Sequence, residues 1–115
     1  MSKYHSRPAD YDGFHFDSQA ELARYHELKL MERNGDIDSL TVHPVFPLME
    51  GFMYQGKKIR GISYEADFSY YENGEHVVED VKGVETEGFK LKSKLFKARY
   101  SDMDFRVLNG EKKNG

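Results

Sequence analysis

An Asn73-Gly74 step between two β-rich runs constrains this chain more than any other feature. One run extends from Tyr64 to Tyr71, the other from His76 to Gly83, with Glu72 and Glu75 flanking the step. Both turn residues tolerate positive φ, so the spacing predicts a hairpin closed by a two-residue turn. Glu72 then pairs with Glu75, and the register carries Asp67 to a place opposite Asp80. Their Cβ atoms would stand about 5 Å apart on one face of the sheet. Like charges so placed destabilise a hairpin unless a cation sits between them. Lys82 is two residues beyond Asp80 and shares its side of the strand. A one-residue bulge at the Asn73-Gly74 turn would alter the pairing of the aspartates but not the shared face of Asp80 and Lys82.

The rest of the chain builds around that hairpin. A first helix is expected over 18–33, with Ser18 as its cap and Glu21 as the acid of a capping box. Asn34-Gly35 ends it. Leu22, Tyr25 and Leu28, with Ala23, Leu30 and Met31, give it an apolar face for packing on a sheet. Leu40–His43 and Phe46–Met49 read as short strands interrupted by Pro44 and Pro47. Met53-Tyr54 and Lys57–Ile62 suggest a small hairpin around Gly56, and the long hairpin covers 62–82. Its apolar face carries Tyr64, Ala66, Phe68 and Tyr70 against Val77 and Val81, with Glu79 as an exception that an edge position would accommodate. A second helix is expected over 89–100, with Leu91, Leu95, Phe96 and Ala98 towards the sheet. Phe105–Leu108 reads as a last strand. Residues 1–13 are expected to form a flexible arm, 14–108 the single domain, and 109–115 a frayed tail.

The 115 residues suffice for one domain with a core of its own, to which eight Tyr and eight Phe contribute. The absence of cysteine excludes disulfides, thiol nucleophiles and Cys-type zinc sites, and fits a reducing compartment. No stretch is apolar enough for a helical membrane span and no signal peptide is visible, so a soluble, cytoplasmic protein is expected. Net charge is −3, yet it is unevenly spread. Residues 1–87 hold 17 acids and 9 Lys/Arg, whereas 88–115 hold 3 acids and 8 Lys/Arg. This asymmetry suggests an acidic site beside a basic surface.

Asp67, Asp80 and Lys82 suit phosphodiester chemistry. Mg²⁺ is held by one or two carboxylates plus water and phosphate oxygens, and Mn²⁺ can take its place. A lysine beside such a site can orient the attacking water or offset charge building on phosphate. Lys90, Lys92, Lys94, Lys97 and Arg99 on the second helix are candidate contacts to a DNA backbone. The five histidines have no zinc-ligand spacing and are read as incidental. No P-loop or helix-turn-helix signature is present, so neither a nucleotide cofactor nor sequence-specific reading is expected.

Asp67 followed by Asp80-Val81-Lys82 resembles the PD-(D/E)xK nuclease superfamily, with Ala66 in place of the usual proline. The resemblance is closer to a phage-borne branch of small endonuclease-like domains, through Phe16-Asp17-Ser18-Gln19-Ala20-Glu21-Leu22-Ala23-Arg24-Tyr25, the Tyr64 to Phe68 and Val78 to Gly83 strands and the helix from Lys92 to Tyr100. It implies an α/β, restriction-endonuclease-like core, with a central mixed sheet containing a meander and two main flanking helices. It implies a Mg²⁺-dependent DNA endonuclease of phage recombination or replication, acting in the bacterial host cytoplasm, with branched DNA among the candidate substrates. Glu21, Asp67 and Asp80 would bind metal, and Lys82 would position water or neutralise charge. Homodimers are common in that superfamily.

Other readings stay open. Glu21 fits a helix cap alone, Lys82 fits a cross-strand pair with Glu65, and Glu79 could replace Asp80 as ligand. A non-catalytic DNA-binding module on the same fold, or a protein-interaction domain using the acidic hairpin, are the rival functions.

Overall fold

A computed structural model describes residues 7–110. Its elements, in chain order, are β1 (Ala9–Tyr11), β2 (Phe14–Phe16), α1 (Gln19–Arg33), β3 (Asp38–Val42), β4 (Val45–Met49), β5 (Phe52–Tyr54), β6 (Lys57–Ile59), β7 (Ile62–Glu65), β8 (Phe68–Glu72), β9 (Glu75–Lys82), α2 (Glu87–Arg99) and β10 (Asp104–Asn109). The fold is α/β, with two helices and a mixed sheet in the strand order β10-β9-β8-β3. β10 runs parallel to β9, and the other two pairings are antiparallel.

The central hairpin follows its turn chemistry. Asn73 and Gly74 both have positive φ (53° and 81°), and β8 pairs with β9 from Glu72↔Glu75 to Phe68↔Glu79. The register departs from expectation at the far end. Asp67 lies in a bend, and its N–H donates to the Glu79 carbonyl at 3.2 Å, so Asp67 and Phe68 both stand against Glu79. Two residues opposing one is the pattern of a β-bulge. The single long strand expected over 62–71 is thereby divided. β7 pairs with β4 instead, and Glu65 faces Val45 rather than Lys82.

α1 begins at Ser18, whose side chain accepts from the Glu21 N–H at 3.1 Å, and closes at Asn34 and Gly35 (φ 85°). Tyr25 and Leu28 are buried with Phe16, Phe68, Tyr70 and Val77, and Leu22 and Met31 pack alongside, whereas Leu30 is exposed. The opposite face of the sheet packs on α2. There Phe46, Leu48, Tyr64, Ala66 and Val78 meet Phe89 and Phe96. α2 is capped by Thr86, which accepts from the Phe89 N–H at 3.1 Å. Its buried residues are Phe89, Ser93 and Phe96, so the helix is rotated from the expected phase and leaves Leu91 and Ala98 exposed. Phe96 has no exposed surface, and truncating it to alanine is expected to cost about 3–5 kcal/mol.

Two expectations about the ends are corrected. Ala9–Tyr11, assigned to a flexible arm, pairs with Phe14–Phe16, and the Tyr11 ring packs edge-on against Tyr25 and His26. Asn109, assigned to the tail, pairs with Lys82, and the Gly110 N–H donates to the Lys82 carbonyl at 2.9 Å. Residues 1–6 of the expected arm and 111–115 of the expected tail lie outside the described residues.

Candidate metal and phosphate site

β9 is central, and its alternation aims successive side chains at opposite layers. Glu79 points to the α1 side and is fully buried. Arg24 of α1 meets it with two donors, Nε at 2.8 Å and Nη2 at 2.6 Å, and the Tyr70 hydroxyl donates to it as well. Glu79 is therefore not an edge residue, and both its oxygens are occupied. It is neither in the group of ligand atoms formed by Glu21, His43 and Asp67 nor in the lining of the cleft above them. The carboxylate at its side raises the pKa of Arg24, and burial followed by the same carboxylate raises that of Tyr70.

The next residue, Asp80, has the opposite fate. It is 1% exposed on the other face of β9. Its Oδ1 lies 3.6 Å from Lys82 Nζ, while its Oδ2 is buried with no hydrogen-bond partner. Burial raises the Asp80 pKa to about 6 against the opposing pull of Lys82. Lys82, in turn, is held with its Nζ 4.7 Å from the centre of the Phe89 ring.

Asp67 reaches the same strand end from the bulge. Its Oδ2 accepts from the Val81 N–H at 2.7 Å, so the bulge sets Asp67 over the backbone of β9 and replaces the expected ladder pair with Asp80. Its pKa is raised to about 7, first by burial and then by the Glu21 carboxylate. Glu21 is 3% exposed. One of its oxygens accepts from the Asp17 N–H at 3.0 Å, and the other meets His43 Nε2 at 2.9 Å. Glu21 thus reaches back to the Asp17 N–H, one residue before the Ser18 N–H that a capping box would use, and faces the site at once.

His43, set aside in the sequence, belongs here. It directly follows β3, with φ 58°, a left-handed conformation for a residue with a Cβ. Its N–H donates to the Asp67 carbonyl at 2.9 Å, and the Ala66 N–H donates to the Pro44 carbonyl at 3.0 Å. These bonds fasten the β3–β4 turn to the bulge and deliver the imidazole to Glu21. The Phe14 and Phe16 rings support it, with centroids at 6.5 and 6.0 Å. The sequence marks this residue only by a His-Pro step after an apolar run.

One ligand atom each from Glu21, His43 and Asp67 lie within 4.8 Å of one another. Two ligands on opposite sides of one ion of this size stand about 4.2 Å apart, so little closure is needed. The donor set, two carboxylates and an imidazole, suits a divalent cation, with the imidazole favouring Mn²⁺ or a later transition metal over Mg²⁺. Asp80, within electrostatic reach of Glu21, adds a buried Oδ2 with no hydrogen-bond partner. A cleft of about 260 Å³ opens over Ser18, Glu21, Asp67, Lys82 and Gly110. The site therefore gathers Glu21, Asp67 and Lys82 around one opening, with Asp80 beside Lys82 on β9.

The α2 cations form a separate surface. Lys90, Lys94 and Lys97 line a shallow groove with Glu85 and Ser93. Lys92 and Arg99 are exposed outside that groove. Lys90 pairs with Glu87 at 3.6 Å, and Lys97 lies 5.7 Å from the Phe105 ring centre.

Among the described residues no helix is long and apolar enough to cross a membrane. A family model described as a protein of unknown function (DUF1064) matches residues 1–114. No curated protein matches the chain significantly.

Proposed function

The chain belongs to the DUF1064 family, and we propose that it is a divalent-metal-dependent DNA endonuclease with a restriction-endonuclease-like core. The observation that carries this reading is a buried acidic group at the end of β9. Glu21 and Asp67 meet there with His43, burial raises the pKa values of Asp67 and of the neighbouring Asp80, and Asp80 Oδ2 has no hydrogen-bond partner. A protein retains such an arrangement where a cation completes it. The sequence of helix acid, bulge aspartate, strand aspartate and lysine adds the resemblance to the PD-(D/E)xK nucleases.

Glu21, Asp67 and Asp80 would hold the ion, with His43 able to join them. The ion, when bound, supplies positive charge against the developing anion and acidifies water. Lys82 is the cation that the chain itself contributes. Its Nζ lies over the Phe89 ring beside the cleft that Lys82 helps to line, from where it would donate to a phosphate oxygen. Hydrolysis adds a water oxygen to phosphorus and breaks a P–O bond to sugar, with a proton passing to the leaving oxygen. Asp67 accepts the Val81 N–H, and that bond holds its carboxylate in place through the step. The exposed α2 lysines lie downstream of the same strand and position the backbone without reading bases.

The test is nicking of supercoiled plasmid, with a parallel panel of branched and linear DNAs, in Mg²⁺, Mn²⁺ or EDTA. Cleavage that needs the cation and vanishes in Asp80→Ala supports the reading. Activity surviving Asp80→Ala would remove the site assignment. A wild-type chain that binds DNA without cutting it under any cation would favour a non-catalytic module instead.

A further inference from the structure

The β5–β6 hairpin is the one element that the site and the core leave unexplained. It forms a two-stranded sheet by itself, closed by Gln55 and Gly56 at positive φ (49° and 77°). A waist separates it from the β4–β7 pair. A Cβ on Gly61 would stand 2.6 Å from the Met49 carbonyl, and one on Gly51 2.9 Å from that of Ile59, so the two backbones close together only because both residues are glycine. Beyond the waist Phe52, Met53 and Tyr54 are 48%, 64% and 58% exposed. Lys57, Lys58 and Arg60 stand beside them, and no acid occurs between Gly51 and Gly61. Among the described residues none of these cations makes an ion pair, and neither ring packs on another ring.

We propose that this hairpin grips unpaired DNA, its lysines and arginine on phosphates and its Phe52 and Tyr54 rings stacked on bases. The choice of DNA rests on the nuclease reading above. Three uncompensated cations with no acid suit a polyanion. Exposed aromatic rings suit bases free of their partners, because a base within a duplex is already stacked on both faces. Lysines on an edge strand discourage pairing with another chain's strand, which weighs against a dimerisation arm. The hairpin is also tied to the site by covalent continuity. The β4–β7 ribbon that carries it starts where His43 and Asp67 are bonded, and the chain from Asp67 to Gly56 spans at most about 40 Å. A strand held at the tip is therefore within a few nucleotides' reach of the cleft.

The experiment uses the full chain in EDTA, with a poly(dT) oligonucleotide and a matched duplex as probes and anisotropy as readout. Phe52→Ala with Tyr54→Ala is expected to weaken single-strand binding roughly ten-fold or more, and duplex binding far less. Tyr54→Trp keeps a ring and should keep the affinity, which separates lost stacking from a damaged fold. Lys57→Ala with Lys58→Ala should weaken both probes and make the salt dependence shallower by about one to two in log–log slope. Unchanged single-strand binding in both double variants overturns the proposal. So does an equal loss on duplex and single strand from the ring variant. A wild-type dimer that the ring variant turns into monomer would reassign the hairpin to self-association. Because EDTA removes the cation, a failure to cleave DNA would sink the nuclease reading alone and leave this result standing.

Discussion

Glu79 and Asp80 are neighbours on one strand, both buried and both acidic, yet they live in opposite circumstances. Glu79 has two nitrogens of Arg24 and a tyrosine hydroxyl on its oxygens. Asp80 has one lysine at 3.6 Å and an oxygen with nothing. Taking a carboxylate out of water costs several kcal/mol unless charge and hydrogen bonds replace the lost hydration. On the α1 side that replacement is complete within the chain. At Asp80 it is incomplete, because Oδ2 has no hydrogen-bond partner. A satisfied buried charge is part of the fold, while an unsatisfied one is open to a ligand.

The comparison is tested most severely by removing each acid in turn. Glu79→Ala leaves Arg24 with only the exposed Glu27 as a partner and Tyr70 without its acceptor. Chemical denaturation should show a loss of about 3–5 kcal/mol, as for other broken buried pairs. Asp80→Asn should do the reverse. It should leave the metal-free protein at least as stable at pH 8 while reducing cation-dependent cleavage by roughly 100-fold or more. A destabilisation by Asp80→Asn as large as that from Glu79→Ala would erase the distinction.

pH dependence offers a second, smaller test. Asp67 and Asp80 titrate near 7 and 6 in the fold, against about 4 in the unfolded chain. The folded state therefore holds extra protons between those limits. Their favourable contribution is fully present below about pH 4 and lost as pH rises through 6 to 7. Melting scans of metal-free protein should show wild type losing ground to Asp67→Asn between pH 5 and 8. Cation affinity should rise across the same range, since the ligands must be deprotonated. A parallel decline in both proteins would contradict the raised pKa values.

The smallest effects belong to α2. Lys94→Ala removes an exposed side chain from the Lys90–Lys97 groove and should change stability by no more than about 0.5 kcal/mol. If that groove carries backbone phosphate, the salt slope of DNA binding should fall by about 1. An unchanged slope would detach α2 from the interface.

What could be read in advance was local. The Ser18 cap, the Asn34-Gly35 stop, and the Asn73-Gly74 turn with its register as far as Phe68↔Glu79 are decided by residues within a few positions of one another, and the structure contains them all. The bulge at Asp67 was not legible. Tyr64–Tyr71 alternates as one strand would, and only the pairing of β7 with β4 shows where it breaks. Glu79 looked misplaced because its partner Arg24 lies 55 residues earlier in the chain. The parallel strand β10, which makes β9 central, follows a helix crossover that periodicity does not encode. For the site, Glu21, Asp67 and Lys82 could be assembled from motif order, whereas His43 arrives through backbone bonds to the bulge. The phase of α2 misled for a related reason. Ser93 gives no apolar signal, yet it occupies the buried position that Leu91 was expected to fill.

The most direct test of the unsatisfied site is the melting temperature of wild type and Asp80→Asn at pH 8, with and without Mn²⁺. Bound at a hundred-fold excess over Kd, the ion should raise the wild-type midpoint by roughly 10 °C or more. Asp80→Asn should start at or above wild type and gain little from Mn²⁺. A wild type indifferent to Mn²⁺, or a variant that gains as much, would contradict the claim that this cluster waits for a cation.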